Sequence, residues 1–190
     1  MKVSEFFGFF FRYVRNPSSI GAVCPSSSFL GRKMAAALSG VVGDGDAVAE
    51  LGAGTGAVTK FILDTPGLNT EKFYCVEFEK RSADILGKKF PKAKIFNDSA
   101  ENIVEIMSGD AKDLKCVVSS LPLLSLPRQC SSSILSRCED ALPKGGLYVQ
   151  FTYNLFNPPA DKFFKNMKRI KTSYVFFNIP PARVDVYQKQ

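Results

Sequence analysis

The residues best suited to chemistry lie in one short stretch, Glu50-Leu-Gly-Ala-Gly-Thr-Gly56. An apolar run, Ala47 to Ala49, leads into an acid and then into three glycines at alternate positions. Glycine lets the backbone turn sharply and lets a ligand approach the main chain closely. A helix starting just after the turn offers free N–H groups to that ligand. Glu50, Gly52, Ala53, Gly54, Thr55 and Gly56 are therefore candidate cofactor-binding residues. Gly52, Gly54 and Ala57 also satisfy a dinucleotide fingerprint, so the loop alone leaves a dinucleotide open.

Further candidates follow the next apolar runs. Glu77 comes just after Phe73–Val76, where a carboxylate can accept hydrogen bonds from both hydroxyls of a ribose, with Glu79 as a nearby competitor. Asp98 and Ser99 come after the third run as further cofactor candidates, and Asp98 suits either a ligand's amino group or a helix N-cap. Ser119-Ser120-Leu-Pro-Leu123 closes the fourth, with Ser119 a candidate for the cofactor and Ser120 for the substrate. Tyr153, past the fifth run, could hold an amine by a cation–π contact and its hydroxyl. Ser26 and Ser27 could bond a phosphate or an amine, or simply cap a turn, and Arg183 could face a phosphate or solvent. The chain has no histidine, which excludes a Ser-His-Asp hydrolase and a histidine-based metal site; no metal is expected. Five cysteines without CxxC spacing read as buried free thiols in a reducing compartment.

These residues need elements to hold them. Strands are expected at 46–51, 73–77, 93–97, 115–120 and 146–152, with helices near 57–64, 80–89, 99–107 and 128–141 between them. Such alternation predicts a parallel sheet with right-handed crossovers, an α/β fold. Residues 168–177 and 183–188 break the pattern as two strands joined by Asn178-Ile-Pro-Pro181. Upstream, 3–14 (VSEFFGFFFRYV) reads as an amphipathic helix with a very aromatic face, stopped by Asn16-Pro17. Residues 16–29 read as a structured loop and 28–38 as a helix capped by Ser27 or Ser28. The organisation expected is an N-terminal amphipathic helix and loop over 1–27 and one domain over 28–190. No apolar run reaches the roughly 20 residues of a membrane span, and a signal peptide is not expected. The net charge of +7 favours an anionic partner, either nucleic acid or a lipid surface.

Strands and helices closed by an antiparallel hairpin resemble the Rossmann-like, seven-stranded, mostly parallel sheet of class I S-adenosylmethionine-dependent methyltransferases. In those enzymes an acid placed like Glu50 helps hold the methionine end of the cofactor, which points away from a dinucleotide. More specifically, the chain resembles the bacterial phospholipid and ornithine-lipid N-methyltransferases. The resemblance rests on Pro17-Ser-Ser-Ile-Gly-Ala-Val-Cys-Pro-Ser-Ser27, Glu50–Gly56, Ser120-Leu-Pro-Leu-Leu124, Gln150-Phe-Thr-Tyr153 and Asn178-Ile-Pro-Pro-Ala-Arg-Val184. Ribosomal RNA adenine dimethyltransferases are more distant cousins. The resemblance implies S-adenosylmethionine as cofactor, with Ser120, Tyr153 and Ser26 at the amine of an aminolipid such as phosphatidylethanolamine. It also implies an aromatic helix lying on the anionic inner face of a membrane, on the cytoplasmic side. An RNA adenine N-methyltransferase is the alternative. Leu123 stands where amino-methyltransferases of nucleobases carry a stacking aromatic, so no stable nucleic-acid partner is expected.

Overall fold

The structure, a computed structural model, describes the backbone of residues 25–190 and the side chains of 28–190. The expected aromatic helix and most of the loop before residue 28 lie outside the described residues. Helix α1 runs over Pro25–Ala35. It starts ahead of the serines expected to cap it, because proline, with fixed φ and no N–H to satisfy, suits a first helical turn.

The alternating units follow. They are β1 (Ala47–Leu51), α2 (Thr59–Leu63), β2 (Phe73–Val76), α3 (Lys80–Lys89), β3 (Lys94–Phe96), α4 (Ile103–Ile106), β4 (Leu114–Ser119), α5 (Arg128–Ala141) and β5 (Leu147–Thr152). Strands β6 (Met167–Val175) and β7 (Ala182–Lys189) close the chain. The seven strands order as β3-β2-β1-β4-β5-β7-β6. Strands β1 to β5 run parallel, and β7 inserts antiparallel between β5 and β6.

Every residue of β1 and β2 is buried, as a sheet covered on both faces requires. Val48, Cys75, Val118 and Val149 pack one face against Met34, Leu38 and Ile62. Leu51, Tyr74, Val117 and Tyr148 pack the other against Ile103, Leu135 and Cys138. Each such side chain contributes roughly 1.5–3 kcal/mol by leaving water.

The crossover expected as one helix over 99–107 divides into a 3-10 turn, Ala100–Asn102, and the short α4. The cause is local: Ser99 caps Glu101 N, and Asp98 accepts from Ser99 N and Asn102 Nδ2. Side-chain oxygens that serve nearby backbone favour tight turns over a regular helix.

The register decides where chemistry can occur. Leu51 pairs with Val76 and Ser119, and Ser119 with Gln150. The C-terminal ends of β2, β1, β4 and β5 are therefore level, and the order reverses between β1 and β4. Ligands of open α/β sheets bind at that switch point, outside the carboxyl ends of the strands. Thr152 pairs with Arg183, so the β6–β7 turn projects from the same edge. Among the described residues no helix is long and apolar enough to cross a membrane.

Candidate active site

The glycine loop leaves β1 at this edge. Gly52 has φ +69° and donates its N–H to Val76 O at 2.8 Å, which continues the β1–β2 ladder into the turn. A Cβ there would meet Leu121 Cδ2 at 2.5 Å, so the loop and the segment after β4 pack directly together. Gly54 has φ +57°, and among the described residues a Cβ there would meet nothing within 4 Å. Its N–H donates to Glu77 Oε2 at 2.8 Å. Open space over Gly54, beside the Glu77 carboxylate, is what a cofactor lying along the loop needs.

Glu77 follows β2 directly, and its Oε1 accepts from Glu79 N at 2.8 Å. Each carboxylate oxygen keeps a second lone pair, so ribose hydroxyls can still be accepted. Glu79 plays a different part. It caps α3 through Arg81 N and Ser82 N, and the Ser82 bonds hold its pKa below the usual value.

Glu50 is fully buried beneath the loop. Thr59 Oγ1, from α2, donates to Oε2 at 2.6 Å, and Ser120 Oγ donates to Oε1 at 3.1 Å. Burial pushes its pKa up to about 7; the two hydrogen bonds oppose that rise and the Glu77 charge adds to it. The acid that opens the glycine loop and the hydroxyl of the segment after β4 are thus one hydrogen-bonded unit.

Ser120 N also donates to Leu51 O at 2.8 Å, which fixes the segment after β4 to the end of β1. Ser119, fully buried, faces the other side of the sheet, where its hydroxyl bonds Tyr148 and accepts from Leu121 N at 3.4 Å. Asp98 and Ser99 sit after β3 at the same edge, engaged in the turn described above. Tyr153 follows β5, edge-on to Phe151 with ring centroids 5.5 Å apart. Its hydroxyl bonds Asn178 of the β6–β7 turn, and burial raises its pKa, so it stays protonated. Ser26 falls in the first turn of α1, and its side chain lies outside the described residues.

Arg183 corrects its expectation. It faces neither phosphate nor solvent: it is 4% exposed and pairs with Asp185 at 2.8 Å. It also donates to Leu155 O at 3.0 Å and Thr172 Oγ1 at 3.3 Å. The antiparallel register turns it inward, and a buried guanidinium needs such partners.

The residue types did not reveal a role for Gln150. Its Nε2 donates to Leu121 O at 2.9 Å and to Phe151 O at 2.7 Å, while its Oε1 accepts from Tyr148 at 2.7 Å. It therefore fixes the segment after β4 from β5. Thr59 was also missed; the available signal was a polar residue in the apolar turn after the glycines. Among the described residues no group of three or more His, Cys, Asp or Glu could hold a metal ion.

No family model matches the chain. It is 25% identical over 162 residues to the ornithine lipid N-methyltransferase of Singulisphaera acidiphila, covering 79% of each chain. It superposes on TrmN from Thermus thermophilus with a TM-score of 0.66 at 12% identity, over 84% of this chain and 48% of that one, about half its length. The TehB-like SAM-dependent methyltransferase of Corynebacterium glutamicum gives 0.63 at 15% identity, over 98% of both chains. The fold is the class I methyltransferase fold, with its seven-stranded sheet and closing hairpin. With the glycine loop, the open cradle at Gly54 and the carboxylates of Glu50 and Glu77 on that fold, the chain is an S-adenosylmethionine-dependent methyltransferase.

Proposed function

We propose that the chain transfers methyl groups to the amine headgroup of a membrane lipid, at the anionic cytoplasmic face of the membrane. One observation carries the reading: the hydrogen bond from Ser120 to Glu50, which joins the acceptor loop to the cofactor loop. The likeness to an ornithine lipid N-methyltransferase supports a lipid amine as acceptor.

Bound S-adenosylmethionine supplies a sulfonium-borne methyl group, an electrophile for in-line displacement by an amine. The chain's own contribution is alignment, and proximity of this kind can supply most of the catalysis. Gly52–Gly56 and Glu77 would hold the cofactor, with Asp98 and Ser99 at its adenosine end. The Ser120 hydroxyl donates its hydrogen bond to Glu50, so its lone pairs remain to accept an N–H of the incoming amine. Tyr153 offers a ring and a protonated hydroxyl to the same amine. An ammonium must lose a proton before it can attack, and Glu50, titrating near neutrality one hydroxyl away, is an acceptor within reach.

Radiolabel transfer from S-adenosylmethionine into total lipid, resolved by thin-layer chromatography, tests this. Label in an aminolipid spot is the expected result. Label in RNA and none in lipid would overturn it.

A further inference from the structure

The β6–β7 turn is apolar and exposed. Phe176, Phe177 and Ile179 are 70%, 80% and 83% exposed, and Phe156, on the neighbouring loop after β5, is 86% exposed. Phe29 of α1 lies against the turn, its ring 5.7 Å from that of Phe177, and Tyr174 stacks on Phe176 at 5.8 Å. Exposed hydrophobics scattered singly are ordinary, but a cluster contributed by three segments marks an interaction surface.

Charge selects the partner. No acid occurs in 174–183 or 152–160. Arg32 and Lys33, both exposed, follow Phe29 within about one turn of α1, and Lys171 is exposed on β6. An aromatic tip bordered by cations suits the interface of an anionic bilayer, where aromatic rings settle at headgroup level and lysines meet lipid phosphates. The tip is also firmly placed. Arg183 holds the carbonyls of Leu155 and Phe156, and Asn178 bonds both Tyr153 and Pro180 O. The apolar surface and Tyr153 are thus parts of one hydrogen-bonded corner.

We propose that this corner docks on an anionic membrane, with Phe176, Phe177 and Ile179 entering the interfacial layer beside Phe156 and Phe29. The proposal deepens the lipid reading and rests on it for its purpose. Docking there would present headgroups to Tyr153 without extracting the lipid.

The chain contains no tryptophan, so Phe177→Trp gives a single reporter at the tip. Vesicles of phosphatidylcholine with phosphatidylglycerol should blue-shift its emission, and acyl-brominated lipid should quench it. Unchanged emission and no quenching would overturn the proposal. Emission already blue in buffer and shielded from iodide would also overturn it, because the tip would then be covered by residues 1–24 or by a second copy. In the second arm, Phe176→Ser with Phe177→Ser should lower the vesicle-bound fraction by about tenfold, while methylation of a short-chain aminolipid dispersed as monomers is unchanged. Undiminished vesicle binding by that variant would overturn the proposal. Tryptophan insertion without methyl transfer to any aminolipid would sink the substrate reading and leave the docking surface standing.

Discussion

Glu50 carries a raised pKa because, among the described residues, nothing cationic compensates its burial: its two partners there are hydroxyls. Its pKa is 4.5 when unfolded and about 7 when folded. Between those values the folded chain binds a proton that the unfolded chain does not, so stability falls as pH rises through the window. The loss reaches about 3 kcal/mol above pH 7. Glu50→Gln should remove that slope. Urea unfolding at pH 5 and pH 8 should show the variant gaining on the native chain at the higher pH; equal slopes would refute the assignment. A cationic cofactor favours the carboxylate, so calorimetry should find S-adenosylmethionine affinity rising from pH 6 to 8 in the native chain and flat in the variant. Gly54→Ala separates fold from binding. The side chain meets none of the described residues but must adopt a positive φ, so folding should lose only about 1 kcal/mol while cofactor affinity falls much further.

Each carboxylate and hydroxyl is useful only through the element that carries it. Gln150 on β5 shows this most plainly, because it anchors a loop that follows β4. Gln150→Leu keeps the volume and frees Leu121 O. Turnover should drop by about tenfold or more as the acceptor loop loosens, with cofactor affinity unchanged by calorimetry. Arg183→Met should cost about 3–5 kcal/mol in denaturant unfolding, because Asp185 is left buried and uncompensated.

The same elements show what the chain's letters disclose. Strands β1 to β5 begin and end within a residue or so of their expected positions, because strands buried on both faces are short continuous apolar runs. Glu50, Glu77, Asp98, Ser120 and Tyr153 could be placed for the same reason, each near the end of such a run. Direction was not legible. Whether Ser119 faces the site and whether Arg183 faces solvent depend on parity within a strand, which pairing with distant strands decides. The divided crossover after β3 was hidden too, because Asp98, Ser99 and Asn102 stabilise turn and helix start alike.

At the scale of the molecule, the net charge of +7 acts as a field rather than as a set of contacts. If anionic lipid attracts the chain, vesicle capture measured by flotation should weaken steeply between low and physiological salt, as the screening length shrinks to about 8 Å. Capture insensitive to salt would mean that apolar insertion acts alone.

Strand β6 bounds the sheet on one side and β3, three residues long, on the other. Among the described residues this nine-residue edge has no further strand beside it, and such an edge is a template on which a second copy could add its own strand. Lys168, Arg169 and Lys171 stand exposed along it, and the register shift between Arg169 and Lys171 breaks its regularity. Two such edges brought together would set like charges side by side. The outermost strand thereby acts as the molecule's protection against polymerising with itself, and light scattering of a chain with those three residues changed to threonine should show growth with concentration where the native chain shows none.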